Sequence, residues 1–306
     1  MPLDISLAMG RPLRNFIPNQ PYFVTNRIAE GVLLLVPIDE VNGIIEHAKV
    51  VAANHHPVRS YGDNTTSNHF HDNLSAEDPA AIPRFMQLFQ SLVARKINRR
   101  LGRKGPVWER RYSAEPILDD EASVERLRYT IAHGVKENLV ATVEQWPAVS
   151  ATKHLLGGSE RTVEVGKGEG RKTLRQPFAP LPCWRDLSAA ERGARVQALI
   201  DDINAEATAK RAAEGKQPLG LAALLAQDPR SKPAEVKYSP RPLCHATDAT
   251  LRVAYKTQLR ELRVAYDAAS ARYRAGDFAV EFPEYTFPPP LVFGVAARAS
   301  PLRDAA

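Results

Sequence analysis

The chain has 306 residues, 44% of them hydrophobic, which is enough to bury one substantial core and to form more than one domain. Its 41 Lys and Arg residues against 35 Asp and Glu residues leave a formal net charge of +6, a modest excess whose placement matters more than its sum. The two cysteines, Cys183 and Cys244, exclude a disulfide framework and a four-cysteine zinc site within one chain, and they fit a reducing compartment.

The N-terminal part of the chain predicts strands and no export. Met1–Arg11 lacks the charged start, apolar core and cleavage site of a secretory signal. Tyr22–Asn26 is rich in β-branched and aromatic residues and predicts a first strand. Val32–Val36 predicts a second short strand, since Pro37 closes this apolar run and the run is too short to span a bilayer. We therefore expect a soluble, cytoplasmic protein with no membrane partner.

Helices and strands alternate from there to about residue 150. Helical spacing of apolar residues, turn residues and capping residues define the elements. The predicted elements are a helix from Asp39 to Val51, a hairpin from Tyr61 to Leu74, a helix from Ile82 to Leu101, a strand from Tyr112 to Leu118, and a helix that Asp119 or Asp120 caps and Gly134 ends. This order predicts an α+β fold, a ferredoxin-like antiparallel sheet with helices on one face, plus a mainly helical C-terminal extension.

The composition of the sequence changes after Trp146-Pro147. Residues 157–180 are rich in Gly, Lys, Arg and Pro without steady periodicity, which is typical of a linker or flexible loop. Residues 188–214 and 248–275 are rich in Ala, Arg and Glu and predict helices, and Phe282–Pro290 predicts an extended arm. We therefore expect an α+β domain over residues 1–150, a linker or irregular segment over 151–187, and a mostly helical accessory region with a Pro-rich C-terminal arm over 188–306.

Two pairs of side chains point to chemistry. His69 and His71 flank Phe70 on a predicted strand, so both imidazoles lie on one side of it and can supply two nitrogen ligands. Such a pair alone is more often structural than metal-binding. Tyr129 and His133 are four residues apart on the last predicted helix, so a hydroxyl nucleophile and a third nitrogen ligand share one face. A tyrosine by itself would be interpreted as a half-buried helix residue, and the combination favours a metal site with a nucleophile.

Basic residues crowd the second predicted helix and the loop after it. No acidic residue occurs between Arg95 and Val107, whereas an ordinary solvated helix face mixes both signs of charge. This pattern favours a polyanion as partner. The predicted phosphate-contacting residues are Arg95, Lys96, Arg99, Arg100, Arg103, Lys104, Arg110 and Arg111.

A series of short motifs over about residues 20–150 carries a family resemblance. The motifs are Phe23-Val24-Thr25-Asn26-Arg27, Ser67-Asn68-His69-Phe70-His71, Arg84-Phe85-Met86, Ile97-Asn98-Arg99-Arg100, Gly105-Pro106-Val107-Trp108-Glu109-Arg110-Arg111-Tyr112, Arg128-Tyr129, Leu139-Val140 and Trp146-Pro147. In order and spacing they resemble the HUH-type transposases with one catalytic tyrosine, in particular the REP-associated tyrosine transposases (RAYT). Nothing after residue 160 is covered by the resemblance.

The resemblance implies roles for four residues. His69 and His71 would be the metal-binding pair and Tyr129 the nucleophile. The family usually has Asn or Gln where this chain has His133, and it often has Pro where this chain has Gly134. His133 can replace the usual Asn or Gln as a nitrogen ligand. The implied cofactor is a divalent metal, Mg²⁺ or Mn²⁺.

The function implied is a transposase-like enzyme that nicks and joins DNA. It would act as a metal-dependent single-stranded DNA endonuclease and strand transferase through a 5′-phosphotyrosine intermediate. Its partner would be single-stranded or hairpin DNA, with the phosphate-contacting residues as DNA-binding residues and Trp108 or Tyr112 available for base stacking. This places the protein in the cytoplasm, associated with the nucleoid.

Two other interpretations stay open. The chain can be a domesticated, catalytically inactive binder of structured nucleic acid, since His133 and the polar residues around the histidines permit loss of catalysis. The histidines can also form a structural zinc site with His55, His56 or Cys244-His245, although the paired spacings that mark structural zinc are absent. No feature of the sequence determines the number of subunits.

Overall fold

A computed structural model describes residues 13–233 and 242–290, so the predicted N-terminal segment Met1–Arg11 lies outside the described residues. The chain divides into two compact units, of which the larger is Ile17–Ala254 and the smaller combines Met1–Phe16 with Tyr255–Ala306. The histidines and Tyr129 belong to the larger unit. No helix among the described residues is long and apolar enough to cross a membrane.

The larger unit is built on a four-stranded sheet with helices and a separate hairpin. Its described strands are β1 (Tyr22–Arg27), β2 (Arg59–Thr65), β3 (His69–Ser75), β4 (Ser113–Pro116), β5 (Arg161–Val165) and β6 (Lys172–Gln176). The described helices are α1 (Asp39–His55), α2 (Ala81–Arg100), α3 (Asp120–Lys136), α4 (Thr152–Gly157), α5 (Ala189–Glu214), α6 (Leu221–Leu225) and α7 (Ala249–Arg274), the last of which continues into the smaller unit.

The strand order of the main sheet confirms the predicted fold class. The order is β2-β3-β1-β4 and each neighbouring pair is antiparallel, as in a ferredoxin-like sheet. The register places Thr25 opposite His71 and Arg27 opposite His69 across the β1–β3 pair. The two central strands therefore set the positions of both histidines.

Helices cover both faces of this sheet. On the face of Phe70, α1 and α2 pack together, and the Phe70 ring lies 5.2 Å from the Phe89 ring of α2. On the other face, α3 contacts β2 and β3, and Asn73 Nδ2 donates to Thr130 Oγ1 of α3 at 2.9 Å. Since side chains alternate along a strand, His71 and Asn73 share the face that α3 covers. The sequence predicted helices on one face of the sheet, and α3 adds a helix on the second face, where it packs against the histidines.

The start of α3 is as predicted, but its end is not. The Asp119 side chain caps the helix by accepting from the Ala122 backbone N–H at 2.7 Å. Gly134 does not end the helix, which continues to Lys136. A Cβ at Gly134 would lie 2.2 Å from the Trp146 ring, so glycine serves close packing here. Sequence alone does not distinguish this use of glycine from a helix stop.

Gly134→Ala is therefore expected to destabilise the protein, although alanine favours helices. Overpacking of this kind costs about 1–3 kcal/mol, against about 1 kcal/mol gained from helix propensity. Urea unfolding should show a lower midpoint with an unchanged slope. The control is Gly43→Ala in α1, where a Cβ meets no atom within 4 Å and the midpoint should rise. Stabilisation by both substitutions would contradict the packing role.

The predicted strand at Val32–Val36 is wrong. These residues form no strand, although Leu33 to Val36 are buried. Leu35 N donates to Ser67 O at 2.8 Å and Leu33 N donates to Ser231 O at 3.0 Å, so loops satisfy the backbone instead of a neighbouring strand. Apolar content here reflects burial of an irregular segment. The helix predicted from Asp39 to Val51 is present as α1, but it runs to His55, and Ile38 is at the N-cap position where Asp39 was expected.

The predicted linker segment 157–180 also needs correction, because it contains the antiparallel β5–β6 hairpin. Most side chains of this hairpin are partly or fully exposed, and its sequence carries only a short apolar alternation, Val163 and Val165 in β5. Arg161 and Gln176 are the exceptions, since both side chains are buried.

The helices predicted in residues 188–214 and 248–275 are confirmed as α5 and α7. Residues of α5 such as Ile200 share a buried core with Ile131 of α3, so this core crosses residue 150. The three-part domain division stays a prediction. In the smaller unit the Phe282 ring lies 5.5 Å from that of Tyr266 and 5.7 Å from that of Tyr273, so the C-terminal arm packs through aromatic rings.

Candidate metal centre and nucleophile

Three histidines from two elements form one cluster. β3 places His69 and His71 on one face of the sheet, and α3 brings His133 over them. One ring nitrogen of each lies within 4.8 Å of one ring nitrogen of the others. The closest pair is Nε2 of His69 and Nε2 of His133, which are 2.6 Å apart. These three side chains can hold a metal ion.

The histidines of the cluster are neutral at physiological pH. Burial lowers the pKa of His69 to about 3, with the Arg27 charge adding to the effect. Burial also lowers the pKa of His71 and of His133 well below the usual range, and the neighbouring imidazoles and the Lys136 ammonium lower both further. Neutral imidazoles keep a nitrogen lone pair, which is the form that binds metal.

The orientation of His69 is set by its neighbours on the β2–β3 turn. Its Nδ1 lies 2.6 Å from Asn68 Oδ1 and 2.8 Å from Thr66 Oγ1. The amide oxygen is an acceptor, so the ring donates from Nδ1 and keeps its lone pair on Nε2, which faces the cluster. Outer hydrogen bonds of this kind orient histidine ligands in metal sites.

The hydrogen bonding of the other ring nitrogens shows whether the cluster fits a cation. Both ring nitrogens of His71 and Nδ1 of His133 are buried without a hydrogen-bond partner among the described residues. A buried polar atom without a partner costs about 1–3 kcal/mol, which coordination of a cation by a lone pair would offset. Imidazole ligands suit divalent transition metals, so the residues fit a divalent metal ion.

Tyr129 lies beside this cluster. Its ring centroid is 5.4 Å from that of His71 and 5.6 Å from that of His133, and the ring is partly exposed. Burial raises the pKa of the phenol, the Glu137 carboxylate raises it further, and the Arg126 guanidinium opposes both. The phenol is therefore protonated at neutral pH, so it needs activation before it can act as a nucleophile.

The site has three cationic side chains that the sequence did not indicate. The Arg126 guanidinium carbon lies 5.1 Å from the Tyr129 ring centroid, and Lys136 Nζ lies 4.1 Å from it. Arg27 is the β1 residue opposite His69. Arg126 precedes Tyr129 by three residues, so helical spacing is a signal that would have found it. Arg27 is detectable only from the strand register.

Half of the predicted DNA-binding residues lie away from the histidine cluster. Arg95, Lys96, Arg99 and Arg100 are on α2, which covers the sheet face opposite the histidines, and the structure does not bring them to the cluster. Arg100 pairs with Glu40 at 2.7 Å. The loop after α2 returns towards the histidine end of β1, where Asn26 Nδ2 donates to the Arg110 carbonyl at 2.9 Å. Arg103, Lys104, Arg110 and Arg111 belong to this loop.

The two aromatic side chains expected to be available for base stacking differ in exposure, since Trp108 is partly exposed and Tyr112 is not. Trp108 packs edge-on against Phe70 at 5.4 Å, and its indole N–H donates to the Gln90 carbonyl at 2.9 Å. Tyr112 is buried. Tryptophan and tyrosine at a loop end fit either use by sequence, and only their packing separates the two.

The structural zinc interpretation is also not supported by the contacts of its partners. His55 and His56 end α1 and lie against each other, with ring centroids 6.4 Å apart. His245 lies against Glu115 and Phe23, and Cys244 is buried. Within residues 13–233 and 242–290, none of these side chains joins the three histidines in a ligand cluster.

Comparison with known proteins finds transposases among solved structures. No family model and no curated protein matches the chain. A REP-associated tyrosine transposase bound to a REP hairpin is similar at 17% identity and a TM-score of 0.40, over 49% of this chain and 86% of that one. A putative transposase from Deinococcus radiodurans R1 is similar at 15% identity and a TM-score of 0.29, over 40% and 97%.

Proposed function

We propose that this protein is a metal-dependent single-stranded DNA endonuclease and strand transferase, a transposase-like enzyme with Tyr129 as nucleophile. The observation that carries the proposal is the position of the Tyr129 ring, 5.4 Å from the His71 ring and 5.6 Å from the His133 ring, beside three clustered ring nitrogens. A phenol next to a metal-binding cluster is the arrangement that tyrosine-mediated phosphoryl transfer needs.

His69, His71 and His133 would hold the divalent ion, with Mn²⁺ serving at least as well as Mg²⁺ because the ligands are imidazoles. When bound, the ion would supply Lewis-acid polarisation of the scissile phosphate. Asn68 keeps the Nε2 lone pair of His69 directed at the cluster. The three imidazole rings are neutral, so they need not lose a proton before they bind the metal ion.

Tyr129 would attack the phosphorus atom of one phosphodiester. The bond between Tyr129 Oη and phosphorus forms and the bond between phosphorus and the 3′ oxygen breaks. The phenol proton leaves to solvent, and the 3′ oxygen takes up a proton from solvent. The products are a 5′-phosphotyrosine ester on the downstream strand and a free 3′ hydroxyl on the upstream strand. Because the ester retains the energy of the broken linkage, rejoining needs no nucleotide cofactor. This activity would place the protein at the nucleoid.

Labelled DNA tests the proposal directly. The full chain is incubated with single-stranded and hairpin oligonucleotides, labelled at either end, in Mn²⁺, Mg²⁺ or EDTA. We expect an adduct that survives denaturing gels with the 3′-labelled strand, release of the 5′-labelled fragment, and no adduct in EDTA. Mass spectrometry should place the adduct on Tyr129. His71→Ala should lose the adduct at metal concentrations that saturate the unaltered protein.

The binding-only alternative predicts a different result in the same assay. A domesticated relative would retain structured DNA in a gel-shift experiment and form no adduct with either metal. His133 is the residue that motivates this alternative, because it replaces the usual Asn or Gln. His133→Asn therefore serves as a second test, since gain of adduct in this variant alone would identify the chain as a decayed enzyme.

A further inference from the structure

Arg126 is placed at the candidate site by its position on α3. It precedes Tyr129 by three residues, so both side chains lie on one face of the helix. Its guanidinium carbon lies 5.1 Å from the Tyr129 ring centroid and 5.6 Å from the Phe23 ring centroid. Phe23 in turn stacks on His71 at 5.1 Å. The guanidinium is thus held by aromatic rings at the edge of the histidine cluster.

Arg126 differs from Arg128 of the same helix and from the buried Arg161 in having no acidic partner among the described residues. Its Nε is buried and has no hydrogen-bond partner, and no carboxylate pairs with the guanidinium, within the part of the chain that the structure describes. By contrast, Arg128 pairs with Glu206 at 2.6 Å and Arg161 pairs with Asp63 at 2.8 Å. A guanidinium in such a setting gains from an anion that accepts its hydrogen bonds.

The charge balance of the site supports an anion from outside the chain. Lys136 Nζ lies 4.1 Å from the Tyr129 ring centroid and Arg27 is opposite His69, so two further cations lie at the site. The planar fork of a guanidinium matches two oxygens of a phosphate group, which a point charge such as a lysine ammonium does not. The basic residues of α2 do not compete for this role, because they lie on the other side of the sheet.

We propose that Arg126 binds the phosphodiester that Tyr129 attacks, which rests on the function proposed above. Two guanidinium N–H groups donate to the phosphate oxygens and hold the phosphorus within reach of the phenol oxygen. The same charge stabilises the negative charge that builds up on the oxygens during attack. Arg126 is then a phosphate-binding catalytic residue, distinct from the predicted DNA-binding residues on α2.

The test compares two charge removals on the same helix. Arg126→Gln keeps the side-chain stem and removes the charge, and Arg128→Gln is the matched control on the Glu206 side. Binding of a fluorescent single-stranded oligonucleotide is measured in EDTA over a series of salt concentrations. Loss of one phosphate contact should reduce the slope of log K against log salt by about 0.7 for Arg126→Gln and leave it unchanged for Arg128→Gln.

Cleavage in Mn²⁺ supplies the second readout. Arg126→Gln should form adduct about 100-fold more slowly, as expected for loss of one group that stabilises a developing oxyanion. Arg126→Lys should recover the salt slope and only part of the rate. Thermal melting of each variant identifies a temperature at which all of them are folded, so unfolding does not imitate either effect.

The two proposals fail in different ways. An unchanged salt slope in Arg126→Gln overturns the phosphate-binding role, even if the unaltered protein forms the adduct. A reduced slope together with no adduct in the unaltered protein supports the phosphate-binding role and removes the enzymatic function. Equal slopes and equal rates for Arg126→Gln and Arg128→Gln would assign the binding energy to general surface charge and overturn the inference.

Discussion

Tyr129→Phe is expected to abolish the covalent protein–DNA adduct and to leave DNA binding unchanged. The substitution removes one oxygen atom, and the ring keeps its contacts with His71, His133 and Phe23. The hydroxyl makes no hydrogen bond with the described residues, so stability should change little. The adduct should fall below detection, because phenylalanine has no nucleophilic oxygen. Denaturing gels measure the adduct, and gel-shift titration measures DNA binding.

Tyr61→Phe is the matched control for this experiment. The Tyr61 hydroxyl lies 2.6 Å from Ser75 Oγ in the protein interior. Its loss should lower the free energy of unfolding by about 1 kcal/mol and leave adduct formation intact. The two variants should thus separate stability from chemistry. Adduct at the unaltered rate in Tyr129→Phe, or an adduct mapped to another tyrosine, would remove Tyr129 from its proposed role.

Asp63→Asn is expected to have the largest effect on stability. Asp63 lies on β2 directly opposite Asp72 of β3, and both carboxylates are buried. Arg161 donates to both oxygens of Asp63, at 2.8 and 2.9 Å, and Lys49 Nζ lies 3.1 Å from one of them and bonds Asp72. Breaking such a pair leaves a buried charge unmatched and costs about 3–5 kcal/mol. Chemical unfolding measures this loss.

The β5–β6 hairpin offers its own control for this buried network. Arg175 and Glu160 form an exposed pair at 3.3 Å on the same hairpin. Exposed pairs contribute at most about 1 kcal/mol, so Glu160→Gln should change stability little. Asp63→Asn combined with Arg161→Met should recover part of the loss, since no unpaired guanidinium remains. A change below 1 kcal/mol for Asp63→Asn would mean that the network adds no net stability.

The contribution of Asp63 should depend on pH in a defined direction. Burial by itself raises the pKa of this carboxyl, but the charges of Arg161 and Lys49 lower it well below the usual range. A lowered pKa stabilises the folded state above the unfolded pKa, and this stability is lost as pH falls towards the folded pKa. The difference in unfolding free energy between the original protein and Asp63→Asn should therefore shrink below about pH 4.

The polar residues around the histidine pair show why part of the site could not be predicted. Asp63 and Asp72 are among the polar residues of this strand pair, and by sequence they indicate weak packing. In the structure they accept from Lys49 of α1 and from Arg161, which is 98 residues away from Asp63. Nothing in the local pattern identifies these partners, because both belong to separate elements that pack on the strands.

The sequence by itself determined the local geometry of the candidate site. Alternation along a strand places His69 and His71 on one face, and helical spacing places Tyr129 and His133 together, because both rules depend only on neighbours within one element. Only the tertiary structure decided that β3 and α3 meet and that the basic surface of α2 faces away from them. Those outcomes depend on which faces pack against each other, which is set by burial across the whole chain and not by residue spacing.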